Sequence, residues 1–124
     1  MIVWILPSEV VGTYLEAFEV CPTRLESLHG AVRFCNGKRH HQGHVLAKGA
    51  IGLRLACPPQ GLFLQRWIYE YGLLDEFAVA AYWAGYYRDC VDACEALLAA
   101  GKIPPDQRER IEANARAARN QLAV

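Results

Sequence analysis

The chain has 124 residues, 13 basic against 13 acidic side chains, and an apolar share of 53%. That length predicts a single domain over residues 1–124 with a real core and no room for a second, catalytic domain beside it. The balanced charge predicts no global field for nucleic acid or an anionic membrane, and the apolar residues 1–6 end at Pro7 without the basic flank of a signal peptide or the length of a membrane span. Five cysteines, at positions 21, 35, 57, 90 and 94, are an odd number without a paired framework, so reduced thiols in a cytoplasm are expected.

Six helices in three hairpins are predicted, so the fold class is all-α. After the apolar segment 1–8, Ser8 is placed as the cap of a first helix that turns Val11, Tyr14, Leu15 and Phe18 inward, and Pro22 ends its continuation. Thr23 and Glu26 form a capping-box pattern, in which each side chain satisfies a free amide of the next first turn. That second helix carries Leu25, Leu28, Val32 and Cys35 on one face, and Asn36-Gly37 is expected to supply a left-handed stop. A third helix covers residues 39–55. Its glycines at 43, 49 and 52 cost about 1 kcal/mol each against alanine, so close approach of a neighbouring backbone is the expected compensation. Residues 56–66, opened by Cys57-Pro58-Pro59, form an irregular connector that pins Leu62, Phe63 and Leu64 on the stack.

The strongest pattern lies in residues 73–98. Tyr87, Cys90, Val91, Cys94, Leu97 and Leu98 follow the spacing of one helix face, with Arg88, Asp89, Asp92 and Glu95 outward. The preceding helix, 73–84, is apolar almost all round and therefore needs neighbours on several sides. Gly85 and Gly101 mark the helix ends, Pro105 suits a first turn, and Ile111, Ala115, Ala118 and Leu122 form the narrow stripe of a last helix with a wet far side.

The run from Trp67-Ile-Tyr-Glu-Tyr-Gly-Leu-Leu-Asp-Glu-Phe through Ala84-Gly-Tyr-Tyr87, Cys94-Glu-Ala-Leu-Leu98 and Gly101-Lys-Ile-Pro104 to Arg108-Glu-Arg-Ile-Glu-Ala-Asn114 carries a resemblance. With Tyr14-Leu-Glu-Ala-Phe18, Pro22-Thr-Arg-Leu-Glu26 and residues 42–48, it resembles the tetratricopeptide-like helical region that follows the catalytic domain in some bacterial family 2 glycosyltransferases. The resemblance implies a right-handed superhelix of about three degenerate hairpins that acts as an interaction module in bacterial glycosyltransferase or glycan-assembly biology. Gly37 and Gly85, each at an interhelix turn, are 48 residues apart. The usual tetratricopeptide period is about 34, so an insertion at the Pro58-Pro59 connector is inferred. The chain has no strand-rich segment before residue 60 and no Asp-x-Asp pair for a metal and diphosphate, so it is expected to be neither an enzyme nor a cofactor protein.

Charge is unevenly distributed. No acid stands between Glu26 and Glu70, while Arg33, Lys38, Arg39, Lys48, Arg54 and Arg66 fall there with His29, His40, His41 and His44. The functional expectation is docking of an acidic partner surface, a phosphate group or a nucleic acid through Arg33, Lys38, Arg39, Lys48 and Arg54, with Trp67 and Tyr71 as partly exposed aromatic anchors. The competing expectation is that these cations pair with glutamates of neighbouring helices. No base-stacking aromatics interleave the cations, which disfavours nucleic acid. A glycan acceptor is compatible with the tyrosines and tryptophans around the central hairpin, flat rings with polar tips. His40 and His44 have metal-ligand spacing on a helix, and Cys35 or His29 could approach. They carry the alternative function, a small metal-binding or catalytic protein. Glutamate is missing after His40, so a zinc-protease helix is excluded. A solvated polar face is the competing reading of these histidines, and buried inert thiols that of Cys90 and Cys94. The N-terminus is expected to begin on the second helix of a hairpin, which leaves an apolar face for a homodimer through Trp4, Leu6, Val11 and Leu15.

Overall fold

The computed structural model describes residues 7–61 and 64–124, and these are helical with no strand among them. The six helices are α1 Pro7–Val20, α2 Glu26–Cys35, α3 His40–Gly52, α4 Leu73–Ala84, α5 Tyr87–Ala100 and α6 Arg108–Leu122. Each packs on the next along the chain, and α2, α4 and α6 also touch in series. The all-round apolar character of α4 is satisfied this way, because it contacts α2, α3, α5 and α6. One core runs through the stack, from Leu28 and Val32 through Leu73, Phe77 and Ala81 to Val91, Leu97, Ile111 and Ala115.

Small side chains set the close approach. A Cβ on Gly43 would sit 3.1 Å from the Cβ of Cys35 and 3.5 Å from that of Ala80, so α2, α3 and α4 meet at three small residues. Gly49 and Gly52 have open space instead, which removes close packing as their explanation. Gly85 and Gly101 end α4 and α5 in the left-handed conformation, φ +89° and +67°, where a side chain is strained.

Local signals are corrected at several helix ends. α1 starts at Pro7, so Ser8 lies inside the first turn and is not its cap. The capping box on Thr23 does not form: α2 is preceded by Leu25, whose amide donates to the Tyr69 hydroxyl at 3.0 Å. That hydroxyl donates to Glu26 Oε2 at 2.8 Å, and Arg24 holds the other carboxylate oxygen at 3.0 Å. A tertiary contact from the π-helical turn Ile68–Gly72, just before α4, replaces the local cap. Asn36 is right-handed and Gly37 is not among the positive-φ residues, so no left-handed stop exists there. Asn36 instead donates its amide to the carbonyl and carboxylate of Glu76 on α4, at 3.1 and 2.7 Å. α3 stops at Gly52, three residues before Leu55, and Arg54 adopts a positive φ of 52° in the turn that follows. In the connector Leu64 is half-buried. The expected pinning by Leu62 and Phe63, like the contacts of Trp4 and Leu6, lies outside the described residues.

The connector gives way to helix at Arg66, earlier than its expected end, and the helix contains a π turn over Ile68–Gly72 before α4. The Leu73 amide bonds back to the Ile68 carbonyl, one residue further than in an α-helix. This extra residue lays the Trp67 ring across Gly72, where a Cβ would come within 2.6 Å of the ring.

Candidate functional site

Where α1, α2 and the segment that leads into the π turn before α4 meet, a cavity of about 470 Å³ is lined by Tyr14, Glu26, His29, Arg33, Gln65 and Trp67. Glycine fixes both aromatic walls. Trp67 rests on Gly72, and Tyr14 rests on Gly30, where a Cβ would lie 2.5 Å from the tyrosine ring. The Leu28 and Val32 face of α2 turns toward the core, which carries His29 and Arg33 one residue round the helix to the cavity.

His29 is 4% exposed, its Nε2 has no hydrogen-bond partner, and its ring meets Trp67 edge-to-face at 5.0 Å between centroids. Burial, with the positive Arg33 beside it, pushes the His29 imidazole below its ordinary pKa, so its neutral form is favoured. Glu26 is held as a carboxylate: burial works against its charge, but the hydrogen bonds from Arg24 and Tyr69 outweigh it and lower its pKa. Of the charged side chains that line the cavity, Glu26 has a countercharge in Arg24, and Arg33 has no carboxylate partner among the described residues.

Two sequence-predicted residues, Arg33 and Trp67, come together in this cavity, and Tyr71 stands behind Trp67 at 5.8 Å. Trp67 is 37% exposed and Tyr71 half-buried, as expected of partly exposed anchors. Lys38 and Arg39 lie elsewhere, with Phe34 and Gly37 in an adjacent, mostly apolar cavity of about 500 Å³ at the α2–α3 turn. Phe34 is shared by both cavities and is 38% exposed. Lys48 pairs with Asp89 at 3.4 Å, so the competing expectation of neighbour pairing holds for this one cation, with an aspartate in place of a glutamate. Arg54 stands apart, at the rim of a smaller cavity with Leu25 and Tyr69.

The histidines part company as well. His44 is 5% exposed, against the expectation of a solvated face, and its Nε2 is 2.9 Å from Asp89 Oδ2. Its ring stacks on Tyr86 at 4.0 Å and lies 5.5 Å from Phe77. Asp89 is thus not outward: the hydrogen bond with His44 holds its pKa below the ordinary value. His40 is half-buried near Trp83, ring centroids 5.8 Å apart. Among the described residues no three His, Cys, Asp or Glu side chains are placed to hold a metal ion together. Cys35, Cys90 and Cys94 are buried free thiols; the hydrogen bond to Cys90, together with burial, pushes the Cys94 thiol far above the usual range.

Several of these residues escaped the sequence reading in these roles. Tyr14 and Glu26 were legible only as a core residue and a cap, and Gln65 carried no signal. Gly30 and Gly72, glycines inside helical segments, were the available sign, since glycine inside a helix points to close approach. Trp83, 62% exposed, and half-exposed Tyr86 are more open than Trp67. No helix of the described residues is long and apolar enough to cross a membrane. No protein-family model matches the chain, and neither does any curated protein or any solved structure.

Proposed function

We propose that this chain is a non-catalytic helical-repeat interaction module that docks an acidic protein segment at the α2–α3 turn. The observation that carries the reading is Phe34, an exposed aromatic side chain sharing one cavity with Lys38 and Arg39, whose charges meet no carboxylate among the described residues. An aromatic anchor gives affinity at low entropic cost, and flanking cations select an acidic partner and speed its arrival. The series α2, α4, α6, with intervening helices between them along the chain, supports a stack of helical hairpins, and its right-handed tetratricopeptide-like superhelix is what the resemblance implies. The resemblance to the region following bacterial family 2 glycosyltransferases supplies the context, glycan assembly, in which such a module holds a transferase or its partner in place. The module works as a homodimer through the outer face of α1.

The test uses a labelled acidic peptide with a central leucine, titrated by fluorescence anisotropy. Binding is expected to weaken steeply with salt, and Lys38→Glu with Arg39→Glu to reduce it about tenfold or more without lowering the melting temperature. Binding unchanged in that variant would overturn the reading.

A further inference from the structure

We propose that the cavity between Tyr14, His29, Arg33 and Trp67 is a binding site for a carboxylated sugar, a uronic acid residue either free or within a glycan. The site is separate from the acidic-segment docking at Lys38 and Arg39, neither of which lines this cavity.

Three features of the lining select the ligand. The cavity, about 470 Å³, falls in the range that holds a small organic molecule. Its walls include two rings, Trp67 and Tyr14, that cannot withdraw because each lies flush on a helix backbone at a glycine. Rings fixed in this way present a flat apolar surface that loses little entropy when the C–H face of a sugar ring packs on it.

The polar lining excludes a purely apolar occupant. His29 Nε2 is buried without a partner, and the Gln65 side chain and Glu26 carboxylate stand on the same cavity. Glu26 already accepts from Arg24, Tyr69 and the Gln65 backbone amide, so the buried group left to pair is His29 Nε2, and a ligand without hydroxyl groups would leave it unpaired. Sugar hydroxyls donate and accept, so they suit an imidazole nitrogen, an amide and a carboxylate together.

The charge selects the carboxylate. Glu26 is compensated by Arg24 at 3.0 Å, whereas Arg33 has no carboxylate partner among the described residues. A ligand carboxylate can take both nitrogens of a guanidinium fork, a contact stronger than one between neutral groups. A neutral sugar would leave this cation unused, and an aromatic acid would leave the polar lining unused.

The experiment is a titration of the full chain with sodium glucuronate at millimolar concentration, read by tryptophan fluorescence and by ligand-detected NMR, with methyl glucoside and benzoate as parallel probes. Glucuronate is expected to bind about tenfold or more tightly than either probe. Arg33→Gln, a change at an exposed side chain, is expected to bring glucuronate down to the level of methyl glucoside with an unchanged melting temperature. Trp67→Leu is expected to weaken both sugars. No binding of glucuronate, equal binding by Arg33→Gln, or benzoate binding as tightly as glucuronate would each overturn the proposal. None of these outcomes depends on the acidic peptide, because Lys38 and Arg39 remain intact in every variant.

Discussion

Tyr69 joins two segments 44 residues apart through one hydroxyl, which accepts from the Leu25 amide and donates to Glu26. Phenylalanine at this position would keep the ring, leave the Leu25 amide without its acceptor, and take from the Glu26 carboxylate one of its donors, with Arg24 still in place. Tyr69→Phe is therefore expected to cost about 1–3 kcal/mol in chemical denaturation at neutral pH. The pH dependence has a definite sign. Glu26 has a lowered pKa in the folded chain, so its contribution is complete above the ordinary carboxylate value and disappears as pH falls through the lowered one. Removing a donor raises the folded value toward the unfolded one, so the variant should differ most from the parent near neutrality, and in acid the difference should shrink to the share of the lost Leu25 amide bond, which does not titrate. A constant difference down to acid pH would place the whole effect in that amide bond. The capping box at Thr23 was legible and wrong for the same reason: a local four-residue motif competes with a tertiary hydroxyl, and sequence displays only the local competitor.

At the scale of the helices, the stripe on α5 was the clearest signal, and Cys90, Val91, Cys94 and Leu97 are all buried as it requires. Leu97 is fully buried in the shared core, so Leu97→Ala should cost roughly 2–5 kcal/mol. Asp92 on the exposed side should tolerate alanine within about 0.5 kcal/mol. Equal shifts of the denaturation midpoint would contradict the assignment of faces. The stripes were less informative where they reach an end of the stack: Leu122, the last apolar position of α6, is exposed, and so is Leu15 on α1. Periodicity reports which face is apolar but not how far the neighbouring helix extends over it. The cavity was hidden for a related reason. Its walls come from α1, α2 and the π turn, and a one-residue bulge that rotates Trp67 onto Gly72 leaves no mark on the period of α4.

At the scale of the molecule, the described residues leave an apolar surface uncovered between α1 and α3. Val11 and Leu15 of α1 and Val45 and Leu46 of α3 line an open groove of about 460 Å³. Val45 is 69% exposed, too open for a side chain whose role is the core. Contiguous apolar faces of this kind are normally covered by a partner, and a two-fold contact between copies buries the same groove twice. The expected dimer interface therefore includes Val11 and Leu15, and Val45 and Leu46 extend it onto α3. A mass of twice 13.9 kDa is expected by light scattering at micromolar concentration. Val45→Glu is the decisive variant, because its exposed position leaves folding intact while a glutamate in each copy would bring like charges into an apolar contact. That variant should elute and scatter as a monomer with the helical content of the parent. A parent that is already monomeric, or a Val45→Glu protein that remains a dimer, would remove this groove as the interface.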